Sequence, residues 1–163
     1  MGIVLSSQYA PINREAIAAA LFASFQSQLG GVFVSIGRKH VKPPQLKTPD
    51  QPALFQVFAE ETGIPQKPPG YPAKLVMKGY LIVYAYNPSP QEDIGQEQLL
   101  GETILNNLLF AIDGALLPDD PNTGKYTIGG LVTHCWREGR TSLDPGIFGN
   151  QLAALLPLNV LID

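Results

Sequence analysis

Charged residues are scarce in this chain. Asp, Glu, Lys and Arg make up 15% of its 163 residues, against roughly 25% in typical soluble domains. The surface of a monomer is normally rich in these residues, whereas the cores of protein interfaces are depleted in them. The composition therefore favours a chain that covers part of its surface by oligomerisation. The net charge of −3 lacks the basic excess that is typical of strong nucleic-acid binders.

Cysteine and long apolar runs are also lacking. With Cys135 as its single cysteine, the chain has no internal disulfide, which excludes a disulfide-built secreted fold. Residues 1–9 lack the basic region and apolar run of a signal peptide. No apolar stretch reaches the roughly 18 to 20 residues that a membrane helix needs. We therefore expect a protein of the cytoplasm, or of something assembled there, without membrane contact.

Groups of residues that carry catalysis or bind metals are missing as well. His134 and Cys135 form the only Cys/His pair, but adjacent residues of a strand point to opposite faces. We interpret Cys135 as a buried structural residue and His134 as a packed or interface residue. The Asp119-Asp120 pair does not match the calcium-loop pattern and predicts a plain turn. The sequence thus predicts a protein that is not an enzyme, with no catalytic, cofactor or metal site.

The apolar periodicity predicts an α+β fold for residues 1–163 as a single domain. Asn13 caps a first predicted helix that ends at Gly30-Gly31, and a second helix is predicted over 96–117. Strands are predicted at 32–38, 53–60, 74–86, 131–138 and 155–162. Short links between strands favour a mostly antiparallel sheet of about five strands, with the two main helices packed on one face.

Three irregular segments complete the predicted domain. Residues 1–12 are predicted to form an N-terminal arm. Residues 39–52 and 61–72 are predicted to form proline-rich loops, and loops of this length usually carry a function or are ordered by a partner. Pro157 lacks the N–H that a central strand needs, so the last strand is predicted to lie at a sheet edge.

Two apolar surfaces are the predicted interaction sites. An aromatic strand face is typical of an interaction surface, and an apolar edge strand can extend the sheet of a neighbour. The predicted interface residues are Tyr80, Ile82, Tyr84 and Tyr86 on the long strand and Leu156, Leu158, Val160 and Ile162 on the last one. Tyr84→Asp should then block association and leave the fold intact. The alternative, that loops of the same chain cover the tyrosines, stays open.

The order of these segments resembles a known family. The resemblance lies in residues 14–29, the Gln51-Pro52-Ala53-Leu54-Phe55 entry to the second strand, the strand at 74–86 and the Leu-Asn-Asn-Leu-Leu-Phe-Ala-Ile-Asp helix at 105–113. The strand at 131–137 and the C-terminal strand complete it. This series resembles the tail terminator proteins of long-tailed bacteriophages, which cap the tail tube.

The resemblance implies a structural virion protein without catalytic residues. Its subunits would form a hexameric ring that ends polymerisation of the tail tube and provides the docking surface for the head connector. The implied partners are further copies of the chain, the tail tube protein and the connector, while DNA passes through the lumen without specific binding. The protein would lie in the tail or neck of the virion, after assembly in the host cytoplasm. The implied contacts to tube or connector are Arg38, Lys39, Lys42, Lys47 and Lys67.

Two other functions remain open on the sequence alone. The chain is alternatively another head–tail joining or tail-completion protein, a class that uses similar small α+β domains. A different class is a small cytosolic ligand-binding domain or enzyme, whose pocket would be lined by Tyr80, Tyr84, His134 and Trp136.

Overall fold

The computed structural model describes residues 12–65, 72–87, 96–147 and 149–162. Within these residues the chain forms two α-helices, six β-strands and two short 3-10 turns. The helices are α1 (Arg14–Leu29) and α2 (Gln96–Ala115). The strands are β1 (Ser35–Gly37), β2 (Ala53–Pro65), β3 (Pro72–Tyr86), β4 (His134–Arg137), β5 (Ser142–Asp144) and β6 (Gln151–Ile162). The predicted α+β class is confirmed.

All six strands belong to one sheet. Its order is β1-β2-β3-β6-β4, and β5 also pairs with β6. Only the β1–β2 pair is parallel, while the other pairs are antiparallel. The sheet is therefore mostly antiparallel, as predicted. It has one strand more than expected because β5, a strand of only three residues, lies in a segment without an alternating apolar pattern.

The C-terminal strand β6 lies inside the sheet, so the prediction of an edge strand was wrong. It pairs with β3 along one side and with β4 and β5 along the other. The physical reason is the position of Pro157. On the second side, β4 ends at Arg137 opposite Leu158, and β5 begins at Ser142 opposite Leu155. Pro157 therefore faces the gap between two short strands, where no ladder hydrogen bond requires its missing N–H.

Both helices cover the same face of the sheet, which we call the inner face. Its β3 residues Leu75, Met77, Leu81 and Val83 are buried in one core cluster with residues of α1 and α2. The predicted cap of α1 is confirmed, because the Asn13 side chain accepts a hydrogen bond of 2.9 Å from the Ala16 N–H. The opposite face of the sheet, called the outer face below, carries no helix among the residues that the structure describes.

The predicted loop at 61–72 was partly wrong. The strands β2 and β3 continue as a long hairpin, in which Glu61 pairs with Met77 and Ile64 with Lys74. The sequence at 61–64 has little alternation, but β3 continues opposite it and offers ladder hydrogen bonds. Residues 66–71 and residues 1–11 of the predicted arm lie outside the described residues. The segment 39–52 is a loop with two 3-10 turns, Pro43–Gln45 and Thr48–Asp50.

Candidate assembly surface

The outer face of the sheet carries the predicted tyrosine stripe. The register places Tyr84 between Ala53 and Ala153, and Tyr80 between Val57 and Pro157. Ile82 lies between these two tyrosines, flanked by Phe55 and Leu155. Since paired residues of neighbouring strands share a face, these side chains form one continuous, mainly apolar surface across β2, β3 and β6.

The chain itself covers one end of this surface. The loop after β1 folds back so that the His40 ring stacks on Tyr84, with 5.7 Å between centroids, and its Nε2 is 2.7 Å from the Tyr84 hydroxyl oxygen. Val41 and Leu46 pack against the cluster of Ala53, Phe55 and Tyr84. Tyr84 is only 8% exposed, and burial raises the pKa of its hydroxyl. In this half of the face, the alternative of coverage by a loop of the same chain is the correct one.

The other end of the outer face is open. A groove of about 470 Å³ runs beside Tyr80, Trp136 and Pro157, and the charged residues Lys78, Glu60 and Glu138 also line it. Tyr80 at this end is 38% exposed, and Leu155, opposite Ile82 in the middle of the face, is 36% exposed. Tyr86 lies beyond Tyr84 at the far end of β3 and is also 36% exposed. Aromatic and apolar side chains that line an open groove are typical of an interaction surface.

Hydrogen bonds and stacking fix the Trp136 side of the groove. The His134 and Trp136 rings stack with 5.0 Å between centroids. The Trp136 indole Nε1 donates to Glu138 Oε2 at 2.8 Å, and Asn159 Nδ2 donates to the same oxygen at 3.1 Å. This groove contains two of the four residues of the alternative ligand pocket, Tyr80 and Trp136. Tyr84 instead lies in the covered cluster, so the four residues do not line one pocket.

The predicted interface on β6 was wrong for three of its four residues. Leu156, Leu158 and Val160 are at most 1% exposed, because their side chains point to the inner face and join the core. Ile162 is half-buried and packs against the same core. The residues of β6 that reach the outer face are the alternate ones, including Leu155 and Pro157, which the apolar pattern of the strand did not single out.

The predicted basic contacts lie mainly on the covering loop. Lys39, Lys42 and Lys47 are exposed. Arg38 forms an ion pair with Glu15 of α1, with 2.6 Å between Nη1 and Oε1, so its charge is partly satisfied within the domain. Lys67 lies outside the described residues.

The His134-Cys135 pair is split between the two faces, as the strand geometry predicts. Cys135 is 1% exposed and joins the core on the inner face. Burial raises the pKa of its thiol to about 12, so the thiol stays protonated at neutral pH and is a poor nucleophile. His134 lies on the outer face against Trp136.

Asp119 organises the loop that follows α2. Its Oδ1 accepts hydrogen bonds from the Thr127 N–H at 2.7 Å and the Thr127 hydroxyl at 2.8 Å, and Oδ2 accepts from the Gly129 N–H at 2.9 Å. The loop also holds Ile128 at a φ of 51°, which is unfavourable for a β-branched residue. Desolvation raises the pKa of Asp119, but the hydrogen bonds outweigh it and hold the pKa below its usual value.

Asp119→Asn is expected to lower the free energy of unfolding by about 1 kcal/mol at neutral pH, because an amide NH₂ replaces one acceptor oxygen. The folded-state pKa of Asp119 is depressed. Its stabilisation is therefore present above the unfolded-state pKa and is lost as the pH falls through the folded-state pKa. Denaturation curves of both proteins across the acid range should converge at low pH. A difference that stays constant with pH would contradict this role.

A second exposed apolar patch lies on α2 and was missed by the sequence analysis. Phe110 is 81% exposed, whereas Leu105, Leu108 and Ile112 of the same helix are buried in the core. Leu105, Leu108 and Ile112 recur at the three- and four-residue spacing of one helix face, and Phe110 lies outside that spacing, which was the available signal in the sequence. The residues around it on the helix surface, Asn106, Asn107 and Gly114, are also exposed.

The described residues contain neither a metal-binding cluster nor a membrane-spanning helix. No group of three or more His, Cys, Asp or Glu within them is placed to hold a metal ion. None of the described helices combines the length and apolar character required to cross a membrane.

No family model matches the chain, and no curated protein is significantly similar to it. The resemblance to tail terminators thus depends on the segments quoted above.

Proposed function

We propose that this chain is a structural assembly subunit that associates with copies of itself through the outer face of its sheet. More specifically, we propose that the chain is a tail-terminator-like subunit. Its closed ring would cap a phage tail tube and offer a docking surface to the head connector. The observation that carries it is the open groove beside Tyr80 and Trp136, on a face that the chain's own loop covers only in part.

Three further features support an assembly role. The charged fraction of 15% suits a domain that buries part of its surface in contacts with other subunits. Apolar surface is exposed at Tyr80, Tyr86 and Leu155 on the outer face and at Phe110 on α2. The segment order resembles that of tail terminators, from which the ring form and the place in the tail are taken.

The test measures association directly. We expect the purified chain to form closed rings, seen as a single oligomeric mass by light scattering or native mass spectrometry and as annular particles in negative stain. Tyr80→Asp should abolish the rings, because it removes the aromatic ring and adds a carboxylate to a groove that Glu60 and Glu138 also line, and a charge that becomes buried in a contact is costly. Its unfolding midpoint should stay close to that of the monomeric wild type, since Tyr80 is 38% exposed.

A matched control separates a general effect of added charge from loss of the surface. Leu131 is 48% exposed and lies in the loop after α2, outside the groove. Leu131→Asp makes the same kind of change and should leave the rings intact. A wild-type chain that stays monomeric at high protein concentration would overturn the proposed function. Rings that survive Tyr80→Asp would exclude the groove as the contact.

A further inference from the structure

The two exposed apolar patches lie on opposite sides of the domain. The groove beside Tyr80 and Trp136 is on the outer face of the sheet. Phe110 projects from α2, which packs on the inner face, and it points away from the core residues Leu108 and Ile112. A contact between unlike patches on opposite sides of a subunit is heterologous, and repeating it generates a ring or an open filament.

Phe110 has the properties of an anchor residue. It is a large aromatic side chain, 81% exposed. Its helical neighbours are the short polar or small residues Asn106, Asn107 and Gly114, together with Asp113, which is ion-paired with Arg137. The space around Gly114, one turn further along the helix, is open, since a Cβ there would meet no neighbouring element within 4 Å. Aromatic anchors that fill a pocket on the partner commonly dominate the binding energy of an interface, with small polar contacts around them.

The charges of the two sides are complementary. Residues 96–120, which contain α2, carry five acidic residues and no Lys or Arg. Residues 38–47, which cover the other end of the outer face, carry four Lys or Arg and no acidic residue. A helix-to-helix contact would bring two acidic surfaces together, and a groove-to-groove contact would bring two basic loops together. Ion pairs within the domain already engage Arg38 with Glu15 and Asp113 with Arg137. The head-to-tail arrangement therefore pairs opposite charges where Lys39, Lys42 and Lys47 of the loop meet the remaining acidic residues of the α2 side.

We propose that Phe110 of one copy inserts into the groove beside Tyr80 and Trp136 of the next copy. This inference rests on the self-association proposed above and adds the surface that meets the groove. Each subunit then uses both patches at once. The aromatic rings of Tyr80 and Trp136 offer edge and face contacts to the incoming phenyl ring.

Substitution of Phe110 tests the anchor. Phe110→Asp should raise the dissociation constant of the assembly at least about 30-fold, as expected for loss of a dominant aromatic contact. Phe110→Tyr keeps the ring and should remain within a few-fold of the wild type. At protein concentrations where the wild type is dissociated, both variants should unfold at the wild-type midpoint, because the side chain is largely solvated in the monomer. Association of the wild type should weaken with added salt.

Mixing two defective chains tests the head-to-tail geometry. Phe110→Asp keeps an intact groove, and Tyr80→Asp keeps an intact α2 patch, so each chain alone should be monomeric. Together they should form a one-to-one heterodimer and nothing larger, because a single intact contact remains between them. Native mass spectrometry of the mixture measures the masses of the species that form, and each chain alone serves as the control.

The outcomes separate this inference from the proposed function. Rings that form with Phe110→Asp as tightly as with the wild type would overturn the inference and leave the proposed function standing. Loss of association in Tyr80→Asp but not in Phe110→Asp would indicate a groove-to-groove contact and would also overturn it. A wild-type chain that never associates would remove the proposed function itself.

Discussion

Gly101→Ala is expected to lower the free energy of unfolding by about 3 kcal/mol, at the upper end of the usual cost of overpacking a core. Gly101 lies in α2 where the helix approaches the segment before β6. A Cβ at this position would lie 2.1 Å from the Pro145 carbonyl oxygen and 3.0 Å from Leu152 Cδ2. Leu152 is fully buried, and the carbonyl belongs to the backbone. Neither neighbour can move aside without displacing the chain around it.

Gly114 in the same helix provides the matched control. A Cβ there would meet nothing within 4 Å, so Gly114→Ala should raise the free energy of unfolding by about 0.5 kcal/mol through the better helix propensity of alanine. Chemical denaturation of both variants at equal protein concentration measures the two effects. The change in the free energy of unfolding should therefore be negative for Gly101→Ala and positive for Gly114→Ala, although both are the same substitution in the same helix. An equal stabilisation by both would mean that α2 does not approach the Pro145 carbonyl.

The elements that the sequence predicted well are those with local signals. Asn13 supplies the cap of α1 and Gly30 follows its last residue, as expected. In β3, the alternation of Leu81 and Val83 with Tyr80 and Tyr84 predicted two faces, and the structure places the aliphatic face in the core. Caps and periodicity depend on residues a few positions apart, so they can be read without knowing the tertiary fold.

The position of a strand within the sheet is a non-local property, and there the predictions failed. The apolar run from Leu155 to Ile162 is equally compatible with an edge strand and with a strand buried between two others. Pro157 favoured the edge because a central strand usually needs every N–H. Only the register shows that Pro157 falls opposite the gap between β4 and β5. That gap depends on residues 138–141, which give no signal of their own.

The candidate site was predictable in part, for a similar reason. The sequence placed Tyr80 and Tyr84 on one face, but it left open whether a loop of the same chain covers them. The structure divides the face, with His40 over Tyr84 and an open groove beside Tyr80. Coverage depends on where residues 39–50 fold back, and their prolines and lysines carry no periodic pattern. Trp136 joins the groove because β4 pairs with β6. This pairing is a tertiary contact that local sequence patterns do not show.

The divided face changes the expected effect of Tyr84→Asp from loss of assembly to loss of fold. Tyr84 is 8% exposed and contacts Phe55 and His40. Removing its ring and burying a carboxylate in its place should lower the free energy of unfolding by about 3 to 5 kcal/mol. Thermal denaturation or circular dichroism of the dilute variant measures this loss. An unchanged midpoint would mean that residues 39–50 do not cover this end of the face.

Tyr84→Phe isolates the hydroxyl from the ring in the same position. The ring keeps its stacking on His40, and only the 2.7 Å contact between His40 Nε2 and the hydroxyl oxygen is lost. We expect a destabilisation of about 1 kcal/mol, with assembly unaffected. Tyr80→Asp places the same carboxylate four residues away on the same face of β3, in the open groove. Because it should spare the fold and Tyr84→Asp should not, comparing the two variants locates the boundary between the covered and the open halves of the outer face.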